Sequence, residues 1–249
     1  MRLGFFGTGA IVAAMVEGLA PDRILLSPRG ASVAADLAAR FAGVTIAASN
    51  QAVVDGSDLV VLSVRPQVAE AVIRALRFRS GQKVLSLIAA TGIDHLQDWI
   101  GLDLPVIRAI PLPFVADRDG VTPIFPPDPD VAALFDRLGT TVECETRAEF
   151  DAMAVGSALM GTYFGILEIA VDWLTRQGLP QAAARTYMAG LFASLGGVAS
   201  DSPLDLAALR EGFSTKGGLN EQVFRVFAEQ NGAAALTTAL DQVAARVRG

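Results

Sequence analysis

A chain of 249 residues with 52% hydrophobic side chains has the apolar material for one large domain or two modest ones. Its net charge of −6, from 20 basic and 26 acidic side chains, argues against a nucleic-acid surface, because phosphate backbones are held by clustered Lys and Arg. A single cysteine, Cys144, and a single histidine, His95, exclude an internal disulfide and a His/Cys metal cage, so no metal is expected. Mean hydropathy is +0.43, yet no run approaches the roughly 20 uninterrupted apolar residues that span a bilayer. The N-terminal apolar stretch is broken by Glu17 and has no signal-peptide pattern. The expectation is a cytoplasmic protein whose partner is a small molecule, with no nucleic acid and no membrane.

In chain order, Leu3-Gly4-Phe5-Phe6 reads as a short apolar strand, Gly7-Thr8-Gly9 as a turn, and Ala10 to Leu19 as a helix. Gly7 permits a tight turn, and Gly9 lets backbone approach phosphate oxygens at a positive helix N-terminus, the physics of a dinucleotide fingerprint. The third fingerprint position is Val12, where a small residue usually allows close helix–strand packing. Strand-like runs then recur at Ile24-Ser27, Val44-Ile46, Leu59-Ser63, Val84-Ile88, Val106-Ile110, Thr122-Phe125 and Thr141-Cys144. Alanine-rich helices such as Ala31-Phe41 and Val68-Leu76 lie between them, which predicts a parallel sheet covered by helices. Residues 111–130 are dense in proline and cannot form one continuous helix. Cys144 reads as a half-buried strand residue without chemistry, and His95 as a surface residue near a helix start.

Strand signals vanish after Glu145. Alanine, leucine and methionine recur at helical spacing to the C-terminus, with breaks at Gly178-Leu179-Pro180, Ser200-Pro203 and Gly217-Gly218. The expected fold is α/β: an N-terminal Rossmann-type doubly wound sheet over residues 1–146, then an all-α domain over 147–249. Stretches 152–169 and 182–195 carry few charges on any face, so they are expected to pack against a second subunit in a homodimer or higher homo-oligomer.

Where NAD-preferring folds end the second strand in Asp or Glu, this chain has Leu26-Ser27-Pro28-Arg29-Gly30. A cation and a hydroxyl at that point, Arg29 and Ser27, suit a 2′-phosphate, so NADP is the expected cofactor.

The segment Val60-Val61-Leu62-Ser63-Val64-Arg65-Pro66-Gln67 resembles the V-K-P-Q stretch of pyrroline-5-carboxylate reductases, with Arg in place of Lys. Asn50, Val84 to Ala90, Val106 to Pro111 and Gly178-Leu179-Pro180 match that family in order. Leu209 to Asn220 is similar to its L-R-D-x-V-T-S-P-G-G-T-T signature, with Lys216 replacing the proline and Asn220 the final threonine; Leu112 stands where the family has asparagine. The resemblance implies NADP contacts at Gly7, Thr8, Gly9, Ala10, Ile11, Asn50, Ser63, Val64, Arg65 and Pro66. It also implies a substrate site at Ser214, Thr215, Gly217 and Gly218, with Asn220 and Lys216 in the catalytic positions. Two glycines opening a helix expose N–H donors, and hydroxyls with one lysine around them suit a carboxylate.

The implied activity is NADPH-dependent hydride transfer to the C=N carbon of a small cyclic imino acid. An iminium is already electrophilic, so such a reaction needs mainly positioning, carboxylate anchoring and exclusion of water. Two alternatives remain at this point: a 3-hydroxyacid-type carbonyl reductase with Lys216 as proton donor, and a non-catalytic NADP-binding regulator.

Overall fold

Runs such as Leu3-Gly4-Phe5-Phe6 and Leu59-Val60-Val61-Leu62 have no polar face to offer water, and both lie buried along their whole length. The computed structural model describes residues 1–20 and 22–248. Among the described residues eight strands form one sheet: β1 (Leu3–Phe6), β2 (Ile24–Leu26), β3 (Val44–Ile46), β4 (Leu59–Leu62), β5 (Lys83–Ser86), β6 (Val106–Ala109), β7 (Gly120–Phe125) and β8 (Gly139–Glu143). Their order is β3-β2-β1-β4-β5-β6-β7-β8. Pairing is parallel from β3 to β6, with Leu3 of β1 opposite both Ile24 of β2 and Leu59 of β4.

Alternation along each strand separates two cores, one on each face of the sheet. Leu3, Phe5, Leu59, Val61, Leu85 and Ile107 face one cluster, completed by helices α1 (Ala10–Leu19), α2 (Ala31–Arg40) and, later in the chain, Pro129–Asp136. Phe6, Val60, Leu62, Val84 and Val106 face the other, completed by α3 (Asn50–Gly56), α4 (Pro66–Arg74) and α5 (Ile93–Ile100). The Pro129–Asp136 helix, α6, is capped by Asp128, whose carboxylate accepts from the N–H groups of Asp130 and Val131. The doubly wound sheet expected from the alternation is therefore present.

One pairing departs from the parallel expectation. Strands β6 and β7 run antiparallel, Arg108 opposite Phe125. A parallel crossover takes about a dozen residues or more, and the link Ile110–Asp119 is shorter and holds a single 3₁₀ turn, Pro113–Asp117. The helix α6 then returns the chain so that β8 lies parallel to β7. Cys144 falls just past β8 and is buried rather than half-buried, at 2% exposure, and burial foremost, then Glu149, pushes its thiol up. His95 is exposed on α5, as expected.

The described chain resolves into two compact units, Met1–Met153 and Ala154–Gly249. The division falls inside α7 (Arg147–Ser157). The second unit is wholly helical: α8 (Leu159–Arg176), α9 (Gln181–Asp201), α10 (Leu206–Gly212), α11 (Leu219–Glu229) and α12 (Gly232–Arg248). Within it α8 packs on α9 and α11 on α12. No residue of α8, α10 or α11 is buried, and Ala184 alone is buried on α9. Ile169 and Tyr187 remain 69% and 63% exposed. Helices this apolar have no inward face of their own to cover, which is the pattern expected of segments that pack against a second subunit.

Against the expectation from uninterrupted runs, Arg147–Arg176 is long and apolar enough to cross a membrane by length and composition, with a mean hydropathy of 1.5 over its most apolar window. The charged Glu168 and Asp172 interrupt it, which is why a search for unbroken apolar residues passes over it.

Phe135 on α6 is 1% exposed in the core that also seats α1. Its replacement by alanine is expected to lower the unfolding free energy of the first unit by about 3–5 kcal/mol, read as a reduced urea midpoint at unchanged slope.

Candidate active site

In this sheet β1 is followed on one side by β2 and on the other by β4, so the strand order reverses at β1/β4. Ligands of open α/β sheets bind beyond the carboxyl ends of strands at such a reversal. There the chain turns at Gly7, with φ +81°. A Cβ on Gly7 overlaps the Ser63 carbonyl oxygen at the end of β4. The Gly7 N–H donates to Ser27 Oγ at 3.1 Å, and the Ser63 N–H to the Phe6 carbonyl at 2.9 Å. A Cβ on Gly9, by contrast, enters open space. Gly9 is the N-cap of α1 and gives it no side-chain cap, and the first turn carries no acid, so the N–H groups at Ala10 and Ile11 open onto the same space. This is the arrangement that an anionic group approaching backbone requires.

Thr8 ties the first turn to the second. Its hydroxyl oxygen lies 2.8 Å from the Arg29 carbonyl and 3.1 Å from that of Gly30, donating its hydrogen there. Gly30 has φ +83° and opens α2, and a Cβ on it overlaps the Thr8 hydroxyl. Arg29 is exposed and belongs to no ion pair among the described residues. With Pro28, Ser49, Asn50 and Gln51 it lines a cleft of about 680 Å³, to which Val72 of α4 and Leu76 just beyond that helix also contribute. The structure thus brings Arg29 and Asn50 into one cleft, two residues picked out for unrelated reasons. Ser27 departs from expectation: it is 1% exposed and its oxygen already accepts the Gly7 N–H, so it shapes the turn from inside rather than facing a ligand. Val12 is fully buried in the α1 core, showing that helix and strand pack here without a small residue at that position.

Arg65 and Pro66 open α4, with Pro66 in its first turn and Arg65 exposed. Ser63 and Val64, half-buried, lead into them from β4. One charged group in this unit had no assigned role: Arg108 on β6, with its side chain only 11% exposed, lies 4.7 Å over the Phe150 ring and 3.9 Å from Asp151. Burial pulls its guanidinium below the ordinary value, Asp151 counters that, and Arg147 adds to it. A lone arginine inside an otherwise apolar strand is the sequence signal for such a pair.

In the second unit the loop 213–218 joins α10 to α11. Ser214 is half-buried, and Thr215, Lys216 and Asn220 are exposed. Asn220 Nδ2 donates to the Phe213 carbonyl at 2.7 Å, which leaves its Oδ1 as a free acceptor. The glycines do not offer the open donors expected of them. The Gly217 N–H donates to Glu221 Oε2 at 2.5 Å and the Gly218 N–H to the Thr215 carbonyl at 2.7 Å. Glu221 sits in the first turn of α11 and reaches back to satisfy the turn, as a capping-box acid does. Its signal was the acid three residues after Gly218.

The fold and turn together define a two-unit protein with a dinucleotide-type turn at a sheet reversal and a helical second unit. Residues 2–90 match the family described as NADP oxidoreductase coenzyme F420-dependent, and residues 148–249 the family described as pyrroline-5-carboxylate reductase dimerisation. Both units of the chain are thus similar to pyrroline-5-carboxylate reductases. It is 28% identical to the pyrroline-5-carboxylate reductase of Pseudomonas aeruginosa over 250 residues, covering 94% of this chain and 91% of the relative. The structure of a pyrroline-5-carboxylate reductase from Coxiella burnetii superposes with a TM-score of 0.88 at 21% identity, over 99% of this chain and 97% of that one. A Plasmodium falciparum pyrroline carboxylate reductase with NADP bound gives a TM-score of 0.83 at 15% identity, over 99% and 97% of the two chains.

A contrast between the two turn glycines follows. Gly7→Ala is expected to cost about 1–3 kcal/mol of stability through its positive φ and the Ser63 overlap, whereas Gly9→Ala leaves the thermal midpoint nearly unchanged; differential scanning calorimetry reads both.

Proposed function

We propose that this chain is an NADPH-dependent reductase of a small cyclic imino acid, of the pyrroline-5-carboxylate type. The observation that carries the reading is the uncapped N-terminus of α1, coupled through Thr8 to the turn bearing Arg29. The similarity to that family supplies the reaction class, an oxidoreductase acting on a CH–NH group. When bound, NADPH supplies the hydride. Gly7, Gly9, Ala10 and Ile11 present backbone to its pyrophosphate, Arg29 pairs with its 2′-phosphate, and Asn50, Ser63, Val64, Arg65 and Pro66 complete the contact surface. Thr8 and Ser27 hold the turns in shape.

In the same reading Ser214, Thr215 and Lys216 hold the substrate carboxylate, with Gly217 and Gly218 shaping the loop around it. The free Oδ1 of Asn220 accepts the iminium N–H, which orients the C=N carbon without transferring a proton. The functional bounds read from the sequence, 1–146 for NADP and 147–249 for substrate and assembly, differ by seven residues from the division of compact units after Met153, and both divisions fall at or within α7. Uncovered apolar residues on α8, α9 and α11 support a homodimer or higher homo-oligomer formed through the helical domain. A cytoplasmic location fits the reducing cofactor and the lone buried cysteine.

A second reading, carbonyl reduction with Lys216 as proton donor, is favoured by the exposed position of that lysine, which belongs to no ion pair among the described residues. Lys216→Met separates the two. Imine reduction is expected to persist with a raised KM, while a carbonyl reductase loses kcat. The primary assay is steady-state NADPH oxidation with pyrroline-5-carboxylate, pyrroline-2-carboxylate and a piperideine carboxylate; tight NADPH binding without turnover of any imine or keto acid would instead support a regulator. Arg29→Ala is expected to raise KM for NADPH roughly ten- to hundredfold, the scale of one charge-assisted contact, with NADH little affected.

A further inference from the structure

We infer that Glu221 is a specificity-determining residue that competes with the substrate's carboxylate for the N-terminus of α11, so that this site discriminates weakly between cyclic imines with and without a carboxylate. The inference rests on the imine-reductase reading and names what its substrate loop prefers. Gly218 caps α11 without a side chain, and Gly217, at φ +74°, turns its N–H towards the helix axis end. In that position the Glu221 carboxylate accepts the Gly217 N–H at 2.5 Å, while the Thr215 carbonyl accepts the Gly218 N–H. The donors that would otherwise meet a ligand's carboxylate are engaged by the protein's own oxygen atoms.

Charge points the same way. The helix end favours one anion, and Glu221 already supplies it from within the first turn. Lys216, the neighbouring cation in sequence, is exposed and forms no ion pair with Glu221 among the described residues, so the Glu221 charge at the helix end is not neutralised by it. An incoming carboxylate must either displace Glu221 from Gly217 or sit within a few ångströms of it, where like charges repel even through water. An imine without a carboxylate meets neither obstacle. Asn220 contributes in the same sense: its free Oδ1 accepts from an iminium N–H, a group that protonated imines share whether or not they carry a carboxylate.

Glu221→Gln keeps an oxygen acceptor for the Gly217 N–H and removes the charge; Glu221→Ala removes both. In Glu221→Gln, KM for pyrroline-5-carboxylate is expected to fall about tenfold, the scale of one nearby like charge at a wet surface, and KM for 1-pyrroline, which carries no carboxylate, not to fall. The ratio of the two KM values is the readout, since a loop that had merely loosened would shift both. Calorimetric titration of L-proline and of pyrrolidine into the NADP-saturated protein reads the same preference without turnover, and L-proline is expected to bind more tightly to both variants. An unchanged or weakened affinity for pyrroline-5-carboxylate and L-proline, or an equal gain for 1-pyrroline and pyrrolidine, which lack the carboxylate, overturns the inference. If the unsubstituted protein turns over no imine, the reductase reading fails by itself, and the L-proline titration still decides the role of Glu221: tighter binding in the variants supports it, unchanged binding overturns it.

Discussion

At the end of β1 there is room for backbone alone. A side chain on Gly7 collides with the Ser63 carbonyl, and the Gly7 N–H is drawn 3.1 Å from the buried Ser27 hydroxyl. Three strand ends, those of β1, β2 and β4, meet through this residue. The hydrogen bond contributes about 1 kcal/mol, and a left-handed backbone costs a non-glycine residue a similar amount; the overlap with the Ser63 carbonyl adds to that cost, so both terms favour glycine. Because the turn is fixed in this way, α1 starts where its free N–H groups open outward, and the second turn can be held from the first by Thr8.

The two units solve the burial problem differently. In the first, each strand has apolar residues on both sides and each side is covered by three helices, so nearly every large side chain finds a home within the chain. In the second, α8 and α9 pair along one line and leave Phe164, Ile169, Trp173 and Tyr187 largely in solvent. Helices gain most of their stability from packing an apolar face, and here that face extends around the pair. The second unit leaves this apolar surface uncovered by its own helices, and its residues match a family described as pyrroline-5-carboxylate reductase dimerisation.

Much of this was legible from residue order. Alternating strand and helix signals implied the sheet, and the glycine turn and Arg29 marked the cleft that Asn50 also lines. What escaped was decided by hydrogen-bond partners, some distant in sequence and some within one turn. Ser27 looked like a ligand contact because its hydroxyl stands beside Arg29, yet the Gly7 N–H, twenty residues earlier, had already engaged it. Gly217 and Gly218 promised free donors, but Glu221 and Thr215 fill them. The reversal of β7 depended on the length of a proline-rich link, a count that alternation alone does not weigh. Arg108 was visible as a residue and silent as a pair, since Phe150 and Asp151 lie on another element.

Thr8 also bears on how readily the turn after β2 can change over evolutionary time. Its hydroxyl holds that turn by the carbonyls of Arg29 and Gly30, which every residue possesses, and touches neither side chain. The positions 28 and 29 are exposed on a backbone whose course is set from elsewhere. Substitutions there can alter the chemistry displayed at the cleft while the path of the chain is preserved, so drift in ligand preference is structurally cheap at these two positions and costly at Gly7, Thr8 and Gly30.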